Sequence, residues 1–183
     1  IVCTGAAGVL CSSMTEDLLH HGAKVAVLDL RGDVAKAFCA KLAKKGLTQT
    51  LAIEANVLDK ESLEAACKAV LKKWKRIDVL INGAGGNNPR ATCDNEYMTR
   101  DLSEEVKSFF DLQEDGLRFV FDLNITSAFL VTQVFAADMV ETGGNIINIS
   151  SMNAYHPLTK IPAYSAAKAG ISNFTEWLAV HFA

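Results

Sequence analysis

What this sequence lacks excludes several classes of protein. Only 21% of its 183 residues are charged and the formal net charge is −3, so it has no basic field for nucleic acid. The five cysteines are odd in number and none falls in a C-x-x-C pair, which argues against a disulfide framework or a zinc ribbon. No apolar run approaches the roughly 20 residues that span a bilayer. We therefore expect a cytoplasmic protein without nucleic-acid or membrane partners.

What remains is a chain with 50% hydrophobic residues, which predicts a single domain with a substantial core. It begins inside an apolar strand at Ile1 and ends inside a helical pattern at Ala183, so we interpret it as truncated at both ends. His20 and His21 are adjacent and would point about 100° apart on a helix. Because no third ligand accompanies them, no metal site is predicted.

Short apolar runs alternate with amphipathic stretches along the chain, which is typical of βαβ units around a parallel sheet. We therefore predict an α/β fold with a doubly wound, Rossmann-like parallel sheet in three αβα layers and strand order 3-2-1-4-5. Residues 60 to 75 carry a helical apolar stripe that includes Cys67 and Trp74, which are interpreted as core. The longest predicted helices are 115–141 and 162–183. The predicted strands are Ile1–Cys3, Lys24–Asp29, Gln49–Glu54, Asp78–Asn82 and Asn145–Ser150.

The first predicted strand leads into a glycine-containing turn, Thr4-Gly5-Ala6-Ala7-Gly8-Val9-Leu10-Cys11, followed by a helix. Such a turn lets backbone N–H groups approach a pyrophosphate at a helix N-terminus. Asp29 ends the second strand about 20 residues later, where dinucleotide-binding folds place the acid that accepts the ribose hydroxyls. Asp29 would repel a 2′-phosphate, which favours NAD over NADP, although Arg31 could soften that preference. An ordinary βα turn and a solvated aspartate are the alternatives.

A second group of polar residues lies near the end of the chain. Tyr164 and Lys168 are four residues apart, so on a helix the ammonium can stand near the phenol. At ~4 Å and an effective dielectric of ~20, this charge stabilises a phenolate by roughly 4 kcal/mol, which suits the tyrosine to acid–base catalysis. Ser151 stands thirteen residues before Tyr164, at the strand edge where open α/β sheets bind ligands. A chance pair on a helix surface is the alternative.

These motifs together resemble the short-chain dehydrogenase/reductase superfamily, in order along nearly the whole chain. The glycine turn is similar to the family's T-G-x-x-x-G-x-G, with Cys11 in place of the last glycine. Asn82-Gly83-Ala84-Gly85 resembles N-N-A-G, and Asn56-Val57 resembles the Asp-Val pair beside the adenine. Asn124 matches the asparagine of the central helix, and the Ser and Tyr-x-x-x-Lys motif falls on Ser151, Tyr164 and Lys168.

The resemblance implies an NAD(P)-dependent oxidoreductase acting on CH–OH groups. It implies that Tyr164 exchanges the proton, that Ser151 orients the substrate oxygen, and that Lys168 binds the nicotinamide ribose. Asn124 would hold a relay water through the helix backbone. The cofactor would contact the motif residues Thr4, Gly5, Gly8, Val9, Leu10, Asp29, Asn56, Val57, Asn82, Gly83 and Ala84, together with Tyr164 and Lys168. A homotetramer is also implied. Cys11 is expected to push its helix outward and weaken cofactor binding.

The segment from Gly85 to Asn124 is longer than in most of the family by roughly fifteen residues, and such loops are more often functional than incidental. This segment, with Ile81–Pro89 and Ile161–Lys168, resembles the bacterial D-mannonate oxidoreductase (fructuronate reductase) branch. That resemblance implies a sugar-acid substrate, D-mannonate or D-fructuronate. A carboxylate needs cationic or amide partners, and the candidates are Arg90, Asn153 and Lys160. A gluconate 5-dehydrogenase, another polyol or ketone dehydrogenase, an NAD-dependent epimerase and a non-catalytic nucleotide-binding module are the alternatives.

Overall fold

A computed structural model describes residues 1–183 and contains one five-stranded parallel sheet in the order β3-β2-β1-β4-β5. The predicted fold class and strand order are therefore confirmed. All five predicted strands are present, with bounds that differ by one or two residues. The strands are β1 (Val2–Thr4), β2 (Val25–Asp29), β3 (Thr50–Glu54), β4 (Val79–Asn82) and β5 (Asn145–Asn148).

The centre of the sheet is apolar because its strands are covered on both faces. All three residues of β1 are buried, and Cys3 pairs in register with Val27 of β2 and with Ile81 of β4. The carboxyl ends of the strands meet at one edge of the sheet. Thr4, Asp29 and Asn82 are the last residues of their strands, so they lie along that edge.

Helices follow the strands as predicted. The helix α3 begins after Asp59, whose side chain accepts hydrogen bonds from the amides of Glu61 and Ser62. The buried residues of its apolar stripe are Leu63, Ala66, Cys67 and Val70. Burial raises the pKa of the Cys67 thiol to about 12, helped by a hydrogen bond to Asp138. Trp74 is only half-buried, so it was wrongly predicted as core. The sheet helices are α1 (Val9–His20), α2 (Gly32–Ala43) and α3 (Lys60–Trp74).

The predicted helix 115–141 is a composite. It consists of α4 (Glu114–Phe121), a π-helical turn (Asp122–Thr126), α5 (Ser127–Phe135) and a 3₁₀ turn (Ala136–Met139). The run Glu114–Met139 is long and apolar enough to cross a membrane by length and composition, which qualifies the expectation that no such segment exists. Core helices of soluble proteins pass the same test, and 44% of its most apolar window is buried within the protein.

The chain divides into two compact units. The sheet unit comprises Ile1–Ala84 and Ser127–Ile149, and it holds all five strands with α1, α2, α3 and α5. The helical unit comprises Gly85–Thr126 and Ser150–Ala183, and it holds α4 and the last helix, α6 (Pro162–His181). The helical unit has a small core of its own, formed by Ala91, Val120, Ala163 and Ala167.

Candidate active site

In the sheet unit, the buried hydroxyl of Thr4 joins the ends of β1 and β4. Its Oγ1 accepts hydrogen bonds from the backbone amides of Gly83 and Ala84, each at 3.1 Å, and donates to the carbonyl of Ile81 at 3.4 Å. Thr4 is 1% exposed, so these bonds form away from water. The two motifs that sequence analysis singled out at the ends of β1 and β4 are thus one connected structure.

The glycine turn begins at Gly5, the residue that follows Thr4. Gly5 has a φ of +60°, and a Cβ there would lie 3.0 Å from the Cα of Ala84, so both its conformation and its surroundings require glycine. Gly8 is the N-cap of α1, with no side-chain cap and no acid in the first helical turn. Val9 and Leu10 are 89% and 69% exposed. The unblocked helix N-terminus can therefore receive an anion.

Cys11 occupies space that another departure from the family motif provides. A Cβ at residue 83 would overlap the Sγ of Cys11 and would lie 2.7 Å from the carbonyl oxygen of Thr4. Because Gly83 has no Cβ, the thiol is accommodated between α1 and β4, and Cys11 is 4% exposed. The expectation that Cys11 pushes the helix outward overlooked this contact, which joins residues 72 positions apart.

Asp29 is half-buried at the end of β2, and its Oδ1 accepts a hydrogen bond from the amide of Arg31 at 3.2 Å. Asn56 is exposed, but its Oδ1 is engaged by the amide of Leu58 at 3.0 Å, so it shapes the turn after β3. Val57, next to it, is 9% exposed. Of these three predicted cofactor contacts, only Asp29 carries a carboxylate, whose two oxygens can accept the hydroxyls of a ribose.

The side chain of Asn82 links the end of β4 to α5 and β5. Its Nδ2 donates to the Oγ1 of Thr132 at 3.1 Å and to the Oδ1 of Asn148 at 2.7 Å, and the residue is 7% exposed. These partners lie on α5 and β5, so the side chain holds three elements together. The motif resemblance implies a cofactor contact at Asn82, and the side-chain Nδ2 of this residue is bonded within the sheet unit.

The helical unit brings three of the four predicted catalytic residues together. Lys168 is 4% exposed, and its Nζ lies 5.6 Å from the ring centroid of Tyr164, one turn earlier on α6. An ammonium within about 6 Å of an aromatic ring is attracted to its face. A Cβ at Gly85 would lie 2.8 Å from the Oδ1 of Asn124 and 3.2 Å from the Nζ of Lys168. The absence of a side chain at Gly85 therefore leaves room for both groups.

Asn124 is held at the centre of the π-helical turn. Its Nδ2 donates to the carbonyls of Gly86 at 2.7 Å and Val120 at 2.8 Å, while its Oδ1 accepts from the amide of Gly86 at 3.2 Å. Single π-helical turns within α-helices occur frequently at functional sites. The turn was not predicted from the sequence, because its apolar pattern does not differ from that of a regular helix. The side chain of Asn124 is fully engaged, which leaves its backbone for other contacts.

Ser151 begins the 3₁₀ turn Met152–Ala154 that precedes α6. Its Oγ accepts the amide of Asn153 at 3.2 Å, and the Nδ2 of Asn153 reaches the Oγ of Ser165 at 3.5 Å. Asn153 is 3% exposed, so it ties the Ser151 turn to the first turn of α6 and its burial argues against substrate contact. Ser150 adds a hydrogen bond to the carbonyl of Lys168 at 3.0 Å.

The two predicted cationic partners of a substrate differ in their availability. Arg90 forms an ion pair with Asp115, and its Cβ packs so closely on Gly116 that a side chain there would lie 2.5 Å away. This pairing argues against a role for Arg90 as the free cation. Lys160 is half-buried, and its carbonyl accepts the amide of Cys93 at 2.8 Å. This bond fixes its backbone to the polar segment, residues 85–124.

The parallel sheet, the glycine turn and the Tyr–Lys pair define a class of protein, and a profile of that class matches the whole chain. The sequence profile of the short chain dehydrogenases matches residues 1–183, so the chain belongs to the short chain dehydrogenase family. The resemblance stated from the motifs is therefore confirmed.

Two relatives and one solved structure are similar to this chain over nearly its whole length. The chain is 50% identical over 183 residues to an uncharacterized oxidoreductase of Haemophilus influenzae and 49% identical to the uncharacterized oxidoreductase UxuB of Bacillus subtilis. Each match includes the whole of this chain. The chain spans 64% of the length of the first protein and 65% of the length of the second. A crystal structure of a candidate D-mannonate oxidoreductase from Haemophilus influenza with bound NAD superposes with a TM-score of 0.95 at 50% identity, covering 99% of this chain and 65% of that one.

Proposed function

We propose that this chain is the cofactor-binding and proton-transfer part of an NAD-dependent oxidoreductase that interconverts a sugar acid and its keto form, D-mannonate and D-fructuronate. The observation that carries the proposal is the buried Lys168 against the face of Tyr164, beside the amide of Asn124. The phenol can exchange a proton with a substrate hydroxyl, and the ammonium places a positive charge beside it.

The sheet unit fits a nicotinamide dinucleotide. The α1 N-terminus at Gly8 carries no competing acid, so it can receive the pyrophosphate, and Asp29 can accept the hydroxyls of the adenosine ribose. The exposed side chains of Val9 and Leu10 would be covered by the bound cofactor. When bound, the nicotinamide ring supplies the acceptor for the hydride that the alcohol carbon loses. The NAD bound to the Haemophilus structure supports this assignment.

The residues of the helical unit would handle the proton. In the direction of oxidation, the Oη of Tyr164 takes the proton of the substrate hydroxyl while Ser151 donates a hydrogen bond that orients the same oxygen. Lys168 places its ammonium beside the phenol and would bind the nicotinamide ribose. The backbone of Asn124 would hold the water that returns the proton to solvent.

The choice of a sugar acid rests on the relatives and on the polar segment of the helical unit. The Haemophilus structure at 50% identity is that of a candidate D-mannonate oxidoreductase. Of the predicted partners for the substrate carboxylate, Lys160 remains the strongest, because Arg90 is paired with Asp115 and Asn153 is buried. A gluconate 5-dehydrogenase, another polyol or ketone dehydrogenase, an epimerase and a non-catalytic module are the competing outcomes of the test.

The test is NADH formation by the full-length protein with NAD⁺ and D-mannonate, D-gluconate or xylitol, each offered alone. We expect D-mannonate to give the highest kcat/KM. Tyr164→Phe should lower kcat by about 10²- to 10⁴-fold and leave NADH affinity within threefold of the parent by calorimetry. Tyr155→Phe is the matched control, since Tyr155 is 74% exposed in the same unit. Turnover that survives in Tyr164→Phe, or no NADH with any of the three compounds, would refute the proposal.

The proposal extends to assembly and location. Large apolar side chains are exposed on α4 and α6 of the helical unit, including Phe119 at 43% and Trp177 at 54%, and we propose that they are covered in a homotetramer. None of the five cysteines forms a disulfide, which suits a reducing cytoplasm. Light scattering of the full-length protein should give four times the mass of one chain.

A further inference from the structure

Two acids stand side by side at the carboxyl edge of the sheet. Asp29 ends β2 and Glu54 ends β3, and the two residues are paired in register. Residues paired in adjacent parallel strands point to the same face of a sheet. The sequence motifs predict a role for Asp29 only, although Glu54 occupies the equivalent position on the next strand.

The carboxylate of Glu54 lies over the beginning of α2. Gly32 is the first residue of α2, and a Cβ there would overlap the Oε2 of Glu54 and lie 2.9 Å from its Cβ. The side chain of Glu54 therefore lies across Gly32, and a side chain at residue 32 would displace that of Glu54. Arg31, the N-cap of α2, makes no side-chain capping bond, so the helix end carries no cap of its own.

A helix N-terminus attracts anions, above all phosphates, because its first amides are unpaired and its dipole end is positive. The α2 N-terminus directly follows the segment Asp29-Leu-Arg31, where an adenosine ribose would sit, and Arg31 adds a positive charge. Without Glu54, this corner would offer a 2′-phosphate a helix end and a guanidinium, and Asp33 would be the one acid left in the first turn of α2. With Glu54, a carboxylate already occupies the helix end.

We propose that Glu54 is a second determinant of cofactor specificity, which acts with Asp29 to exclude the 2′-phosphate of NADP from the α2 N-terminus. The inference rests on the proposed use of a nicotinamide dinucleotide. Asp29 holds the ribose hydroxyls, whereas Glu54 is needed only against the phosphate. Removing Glu54 should therefore change NADPH affinity and leave NADH affinity unchanged.

The experiment is calorimetric titration of the full-length protein with NADH and with NADPH, separately, for the parent, Glu54→Gln and Glu54→Lys. A carboxylate and a doubly charged phosphate about 6 Å apart in water repel enough to change affinity about tenfold. We expect Glu54→Gln to bind NADPH about tenfold more tightly and Glu54→Lys to gain more, while NADH affinity stays within threefold. The gain should shrink as salt is raised, because the interaction is exposed.

Glu64→Gln removes the same charge from the exposed face of α3 and should leave both affinities unchanged. An unchanged ratio of NADPH to NADH affinity in Glu54→Gln, with NADH still bound, would overturn the role of Glu54 and leave the proposed function standing. An equal gain in Glu64→Gln would also overturn it, because the effect would then be one of net charge. If the parent binds neither nucleotide, the proposed function itself fails.

Discussion

The two units of this protein build their candidate sites from different materials. In the sheet unit the site is mostly backbone, because Gly5 and Gly83 allow close approach and Thr4 holds two amides in place. In the helical unit the site is made of side chains, above all Lys168 and Asn124. The difference teaches that substitutions in the sheet unit should alter nucleotide affinity, whereas substitutions in the helical unit should alter turnover.

The largest effect that tests this contrast is expected at Gly85. In Gly85→Ala the new methyl group would press on the Oδ1 of Asn124 and the Nζ of Lys168. A displacement of about 1 Å in an active site can cost roughly 10²-fold in rate, so we expect kcat to fall by about that factor while NADH affinity changes less than threefold. Gly86→Ala is the control, since its Cβ would meet only Leu123 at 3.7 Å. Equal kcat values in the two variants would contradict the prediction.

An intermediate effect is expected at Gly5. A non-glycine residue at positive φ costs roughly 1–2 kcal/mol, and Gly5→Ala adds a methyl group 3.0 Å from the Cα of Ala84. Gly22→Ala separates the two causes, because Gly22 has a φ of +83° with nothing within 4 Å. Chemical denaturation should show a greater loss of unfolding free energy for Gly5→Ala, and calorimetry should show weaker NADH binding in that variant alone. Weaker NADH binding in Gly22→Ala would contradict the prediction that only Gly5→Ala affects the nucleotide.

The smallest effect is the coupling between Cys11 and Gly83. Gly83→Ala should destabilise the protein by about 1–3 kcal/mol through overpacking, and part of that loss should disappear in the Cys11→Gly background. We expect a coupling free energy of about 1 kcal/mol from a double-mutant cycle by denaturation. Additive losses would mean that the thiol does not limit the space at residue 83. Neither single variant should change kcat at saturating cofactor and substrate.

Much of the fold could be predicted because its signals are local. The five strands are short, apolar and separated by amphipathic stretches, and α3 shows a regular stripe from Leu63 to Val70. The composite helix Glu114–Met139 was predicted as uniform, since the bonds that define its π-helical turn leave no periodic trace. Trp74 fits the stripe by spacing, but its position near the end of α3 leaves it half-buried.

The candidate site was predictable where motif and spacing fix it and not where distant residues meet. The four-residue spacing of Tyr164 and Lys168 predicts their proximity on a helix. Nothing local predicts that Asp115 pairs with Arg90 or that Gly83 makes room for Cys11. These contacts depend on how segments far apart in sequence pack, and they changed the expectations for substrate and cofactor binding most.

The buried hydroxyl that joins β1 to β4 has a thermodynamic consequence. Thr4 holds the amides of Gly83 and Ala84 through bonds within the fold itself, and a β-branched residue has few rotamers to lose. Ordering a flexible loop on association would cost free energy, whereas backbone amides that the fold already holds in place avoid that cost. Affinity for a dinucleotide can therefore be gained from rigidity at this point, without any additional direct contact.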